Sequence, residues 1–188
     1  MTGVYSYQMS SWLPLQACRV RHSIRAPHGV QGRAWAQRDV PFHPSICKAE
    51  TMLNFNFYNP TRILFGAGKI AEISQFVPQD ARVLVLYGGG SARSTGTLAE
   101  VLAALGERTV FEFGGIEPNP SYETLSRAVD LARAERIDYL LAVGGGSVID
   151  GTKFIAAAAL FEGGDPWAIM EKHGRNVTKA LPFGSILT

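Results

Sequence analysis

Residues Leu140 to Ala159 read LLAVGGGSVIDGTKFIAAAA: an apolar run, three glycines and a serine, then a stretch of small residues. With Tyr139 in front, the segment YLLAV has no polar face. As a strand it must be buried on both sides, as in a parallel sheet covered by helices. Val148 to Ala159 reads as the helix that follows. The glycines between these two ordered segments either make a turn and nothing more, or let a ligand approach the bare backbone. The loop by itself leaves both readings open.

Working outward, the same pattern recurs. RVLVLY (82–87) is a second continuous apolar strand, and Gly88-Gly89-Gly90 follows it directly. From Ser94 to Gly106, the residues Leu98, Val101, Leu102 and Leu105 form one helical stripe, with Gly106 as its stop. TVFEF (109–113) is the next strand. GGIEPNP (114–120) reads as a loop, because two glycines and two prolines oppose either regular element. Ser121 caps the next predicted helix, with Thr124 where a capping box would place Glu or Gln. Leu125, Val129 and Ala132 line that helix. Before all of these, NFNFY (54–58) and RILFG (62–66) are short β-rich runs, and KIAEISQFV (69–77) spaces Ile70, Ile73 and Val77 as a helix. LPFGSILT (181–188) opens a last strand.

Strand and helix alternating at this spacing predict an α/β domain with a Rossmann-like, doubly wound parallel sheet. Such sheets bind ligands beyond the carboxyl ends of their strands. The two glycine triplets and GGIEPNP each follow a predicted strand, so three loops at one sheet edge can converge.

Composition sets outer limits. The chain has 188 residues, 46% hydrophobic and 18% charged, with a net charge of +2. That describes a globular protein and gives no reason to expect nucleic acid as a partner. No apolar stretch approaches the roughly 18–20 residues of a membrane span, so no membrane partner is expected. Residues 1–51 differ from the rest. They carry Arg19, Arg21, Arg25, Arg33, Arg38 and Lys48 against only Asp39 and Glu50, and they hold both cysteines, Cys18 and Cys47. They show no sustained periodicity and no compact apolar signal core. Residues 1–51 are read as a disordered extension, or as translated sequence upstream of a start at Met52, and 52–188 as the folded domain. With no cysteine after Met52, the folded part uses no disulfide, which suits a cytoplasmic protein.

A strand–glycine–helix junction aims unpaired N–H groups and a partial positive charge at the loop, where phosphate is the natural occupant. Ser147 adds a hydroxyl. Asp150 cannot attract phosphate and is assigned instead to a sugar hydroxyl, a nicotinamide amide or the helix start. The fingerprint G-x-G-x-x-G fails at Ile149. The Walker A pattern nearly appears at Gly146–Lys153, but Thr152 and Lys153 are exchanged, so it is read as a chance match.

Taken together, NPTRILFGAGKI, YGGGSARSTG, FGGIEPNPSYETL, LAVGGGSVIDGTKFIAAAA, DPW and LPFGSILT resemble the iron-containing (group III) alcohol dehydrogenases. The nearest branch is that of the NADPH-dependent butanol dehydrogenases and broad-range aldehyde reductases. The resemblance runs from about Met52 to Thr188. It implies the N-terminal dinucleotide-binding half of a two-domain enzyme whose C-terminal domain is helical. It implies that Gly145, Gly146 and Ser147 hold the cofactor pyrophosphate and that Asp150 lies on the nicotinamide side. Gly89, Gly90 and Ser91 would surround the adenosine ribose, Asn119 would lie near the adenine end, and Thr188 would help bind the cofactor. Some members carry an Asp in the first loop, where it repels a 2′-phosphate. Here Gly88–Arg93 holds no acid, and Arg93 can pair with a phosphate, so NADP is favoured over NAD.

The family's chemistry is hydride transfer between the nicotinamide and an alcohol or aldehyde substrate. A divalent metal, iron or zinc, polarises the substrate oxygen and is held by one Asp and three His of the helical domain. After Met52 this chain has only His173. The expectation is therefore a cofactor half-site without a catalytic centre, inactive alone, from a full-length enzyme that is a homodimer. A dehydroquinate-synthase-like lyase, a polyol dehydrogenase and a non-catalytic nucleotide-binding remnant stand as alternatives.

Overall fold

The computed structural model describes the backbone of Gly3–Tyr7 and residues 59–188. The expected strand at 54–58, the start at Met52, and both cysteines lie outside the described residues.

In chain order the elements are β1 (Gly3–Tyr7), β2 (Arg62–Phe65), a 3₁₀ helix (Lys69–Gln75), β3 (Arg82–Gly88), α1 (Ser91–Ser94), α2 (Thr97–Leu105), β4 (Thr109–Ile116), α3 (Tyr122–Ala134), β5 (Tyr139–Gly144), α4 (Gly146–Ala159), α5 (Trp167–Glu171) and β6 (Phe183–Leu187). They build one sheet in the order β2-β1-β6-β5-β3-β4. β4, β3, β5 and β6 are mutually parallel, while β1 runs antiparallel to both β6 and β2. The chain goes from β3 to β4 on one side, then crosses to β5 on the other. The strand order thus reverses between β3 and β5, which is the switch point where such folds open a crevice.

Side chains alternate across the strands. Leu84, Leu86, Leu140, Ala142 and Phe183 pack on one face with α3, α4 and α5. Val83, Val85, Tyr87, Leu141, Val143 and Ile186 pack on the other with the 3₁₀ helix, α1 and α2. Burying one Val or Leu side chain contributes about 1.5–3 kcal/mol, whereas an exposed ion pair contributes about 0–1 kcal/mol. The two apolar layers, not the surface charges, therefore hold the strand ends in place. One cation does help locally. Arg108 donates to the carbonyls of Leu105, Ser74, Val77 and Pro78 at 2.7–2.9 Å, tying the end of α2 to the 3₁₀ segment.

Several local expectations change. Gly3–Tyr7 forms a strand, although residues 1–51 show no sustained periodicity in sequence. The stripe from Ser94 to Gly106 is broken into α1 and α2 at Gly96, whose φ of 79° is left-handed. The segment 69–77 is a 3₁₀ rather than an α-helix up to Gln75. β4 runs on through Gly114-Gly115-Ile116 instead of ending at Phe113. Its pairing with β3 shifts register between Leu86 and Gly88, and Gly115 takes φ 87° at the irregularity. Glycine here relieves a bulge within a strand rather than ending it. Other expectations match. Ser121 Oγ accepts from Thr124 N–H at 3.2 Å, and Gly106 ends α2 with φ 62°. Among the described residues, no helix is long and apolar enough to cross a membrane.

Candidate functional site

The carboxyl ends of β3, β4 and β5 meet at the switch point. A Cβ added to Gly88 would lie 3.3 Å from the Ile116 carbonyl oxygen and 3.7 Å from Val148 Cγ2, so the ends of β3 and β4 and the start of α4 come together there.

The second triplet divides into two kinds of glycine. Gly144 has φ 154°, and a Cβ on it would stand 2.8 Å from Val148 Cγ2. The fold itself therefore demands glycine at 144. Gly145 and Gly146 have ordinary φ values, and a Cβ on either would meet nothing within 4 Å. No packing accounts for them. α4 begins at Gly146, runs 14 residues and has no side-chain cap at Gly145. Val148 N–H donates to the Gly145 carbonyl at 3.1 Å, so the N–H groups of Gly146 and Ser147, with the positive end of the dipole, are the ones available beside the crevice. An anion is the chemical complement of that surface.

Two more predicted residues join it. The backbone N–H of Asn119 donates to Ser147 Oγ at 3.2 Å, and the N–H of Thr188 donates to the Gly144 carbonyl at 3.4 Å. Asn119 reaches this place in a left-handed conformation, φ 53°, which Asn tolerates better than most residues. Its loop is shaped by Glu117, a residue that sequence reasoning did not single out. Glu117 Oε1 accepts from the backbone N–H of Ser121 at 2.9 Å and from Thr124 Oγ1 at 3.0 Å. These bonds, led by the Ser121 N–H, hold its carboxyl down at a pKa of about 2. The EPNP turn is thereby fastened to the start of α3.

Asp150 lies one turn into α4. It is exposed on α4, where Lys153 Nζ pairs with it at 3.0 Å. It borders a cavity of about 220 Å³ shared with Tyr122, Phe154 and Trp167. Thr152 is fully buried and donates to the Val148 carbonyl at 2.8 Å. Its hydroxyl is engaged inside the helix, in keeping with the Walker A match being fortuitous.

The first triplet lies across the switch point. Gly89, Gly90 and Ser91 are exposed, and a Cβ on either glycine would meet nothing. Arg93 does not extend freely into solvent. Its guanidinium is hydrogen-bonded to the Tyr87 hydroxyl, lies 5.1 Å from the Tyr87 ring centre, and stands 3.6 Å from Glu112 Oε2. Tyr87 donates in turn to Glu112 at 3.0 Å. The bond to Tyr87, with the Glu112 charge behind it, raises the Arg93 pKa above its ordinary value. Tyr87 and Glu112 carried no sequence signal, because only the β3–β4 pairing brings them together.

His173 is exposed at φ 51°. Among the described residues, no three His, Cys, Asp or Glu side chains are grouped so as to hold a metal ion.

Comparison with known proteins adds the following. The model of the family described as iron-containing alcohol dehydrogenase matches residues 60–188. The NADPH-dependent aldehyde reductase YqhD of Escherichia coli (strain K12) is 58% identical over 138 residues, covering 73% of this chain and 36% of the reductase. The probable NADH-dependent butanol dehydrogenase 1 of Bacillus subtilis (strain 168) is 44% identical over 140 residues, 73% of this chain and 36% of that protein. The crystal structure of E. coli K-12 YqhD superposes with a TM-score of 0.70 over 71% of this chain and 35% of its own. The NADH-dependent butanol dehydrogenase A of Thermotoga maritima superposes with a TM-score of 0.64 at 40% identity, over 69% of this chain and 33% of its own. The chain thus spans about a third of the length of the relatives it matches.

Proposed function

This chain belongs to the iron-containing alcohol dehydrogenase family, and from that premise we propose that it is the dinucleotide-holding part of an NADP(H)-dependent alcohol dehydrogenase or aldehyde reductase. The observation that carries the reading is the junction Gly144–Ser147. Two glycines that the fold does not require stand, open and uncapped, at the start of α4 beside the switch point.

The residues present fit the group. Gly145, Gly146 and Ser147 would hold the pyrophosphate through backbone N–H groups and one hydroxyl. Asn119 and Thr188 flank them, the first hydrogen-bonded to Ser147 Oγ and the second to the Gly144 carbonyl. Gly89, Gly90 and Ser91, across the crevice, would take the adenosine side. When bound, the dinucleotide supplies or accepts a hydride at the substrate carbon. The role of this part of the protein is to bind and orient it.

NADP is the preferred cofactor on this reading. The Gly88–Arg93 loop has no carboxylate to repel a 2′-phosphate, and Arg93 supplies a cation at its end. The relatives at 58% and 46% identity are named for NADPH and NADP, those at 37–44% for NADH, and one at 33% again for NADPH.

Fluorescence titration of NADPH into the 188-residue chain tests the assignment, with Gly146→Glu as the control. The added side chain enters open space, and a carboxylate in a first helical turn favours the helix by about 0.3–1 kcal/mol. The variant should keep its melting temperature and lose at least about tenfold in NADPH affinity, because two like charges then compete for one helix end. Absence of saturable binding by the wild-type chain, or equal binding by the variant, would overturn the assignment.

A further inference from the structure

We propose that Glu112 tunes cofactor choice from outside the nucleotide loop: it keeps Arg93 in an internal ion pair, bridged by Tyr87, from which a 2′-phosphate must draw it. The inference rests on the dinucleotide reading above and goes beyond it by naming a discriminating residue.

The cluster is built by the fold. Tyr87 is the last buried side chain of β3 before the glycine triplet. Its ring lies across Gly114 of β4 so closely that a Cβ there would collide with it. That path brings the hydroxyl to Glu112 on one side and to Arg93 on the other. Arg93 stands two residues beyond Ser91, with its side chain 65% exposed, and Glu112 is its partner at 3.6 Å. A charged guanidinium is therefore poised at the rim of the first triplet, with Glu112 as a weak, partly exposed partner.

Arg93 still has donors to offer. A guanidinium carries five N–H groups in a rigid fork, and a phosphomonoester dianion is a stronger bidentate partner than one shared carboxylate. A nucleotide bearing the 2′-phosphate must compete with Glu112 for that fork. A nucleotide lacking it brings no anion to the spot and is indifferent to the pair. Glu112 therefore acts on the ratio of the two affinities rather than on dinucleotide binding as a whole. The discriminating carboxylate lies on the neighbouring strand, not in the loop.

The test is fluorescence titration of NADPH and of NADH into the 188-residue chain and its Glu112→Gln, Arg93→Ala and doubly substituted variants. The glutamine amide retains a hydrogen-bond acceptor for Tyr87, so melting temperature should hold. Glu112→Gln should tighten NADPH about threefold, the scale of one exposed ion pair, and leave NADH unchanged. Arg93→Ala should weaken NADPH about tenfold, the scale of one charge-assisted bond, again sparing NADH. In the Arg93→Ala background the Glu112→Gln gain should vanish. An unmoved NADPH-to-NADH ratio in Glu112→Gln, with both nucleotides binding, overturns the inference and leaves the dinucleotide reading intact. So does a gain that persists without Arg93, since that would be direct repulsion of the phosphate by Glu112. If the wild-type chain binds neither nucleotide, the dinucleotide reading falls and takes this inference with it.

Discussion

The backbone N–H of Asn119 donates to Ser147 Oγ at 3.2 Å, joining the loop after β4 to the first turn of α4 across 28 positions of sequence. The bond makes one surface of two motifs. It also gives Ser147 a structural duty alongside any contact it makes with phosphate, and the two duties can be separated.

Ser147→Ala removes the acceptor and leaves the Asn119 N–H without its partner. The cost should be about 1 kcal/mol of stability, as for a single neutral hydrogen bond, read from the shift in denaturant midpoint. Ser147→Thr keeps the hydroxyl and should recover most of the loss. Equal midpoints for Ser147→Ala and wild type would show that the bond contributes nothing.

Neighbouring glycines in the second triplet should respond in opposite directions. Gly144→Ala places a side chain at φ 154° and 2.8 Å from Val148 Cγ2. The combined strain and overpacking should cost about 1–3 kcal/mol. Gly146→Ala meets nothing and sits in the first turn of a helix. It should be neutral, or stabilising by up to about 1 kcal/mol, because alanine narrows the unfolded ensemble. Parallel thermal melts of the two variants decide the point. Comparable destabilisation by both would mean that the fold, not a ligand, requires glycine at 146.

Glu117 gives the site loop a dependence on acid. Its carboxyl has a folded pKa of about 2 against an ordinary 4.5, because the Ser121 N–H and the Thr124 hydroxyl donate to the ionised form. A depressed carboxylate contributes stability that is fully present above pH 4.5 and is lost as the pH falls through about 2. The melting-temperature gap between wild type and Glu117→Gln should therefore be open at neutral pH and close over that window. A gap that stays constant from neutral pH down to about 2 would falsify this account.

Residues whose role is set by chain neighbours were readable in advance. The strand identity of Tyr139–Val143, the helix from Val148 to Ala159, the Ser121 cap and the Gly106 stop all follow from local periodicity or local backbone chemistry. The glycine triplets could be placed at strand ends for the same reason. Less legible was what each glycine was for. The three residues of the second triplet look alike as letters. Only the approach of Val148 separates Gly144, which packing requires, from Gly145 and Gly146, which it does not. GGIEPNP misled because glycine marks both loop and bulge. Whether β4 stops or bends depends on the strand beside it.

The sequence by itself determined the fold class and the candidate anion-binding loop, since both rest on patterns a few residues long that need no partner. Tertiary structure alone decided that Asn119 meets Ser147 and Thr188 meets Gly144, and that Arg93, though exposed, pairs with Tyr87 and Glu112. Those relations depend on which strands lie side by side and on which residues share a face of the sheet. Periodicity along one chain carries no information about distance across it.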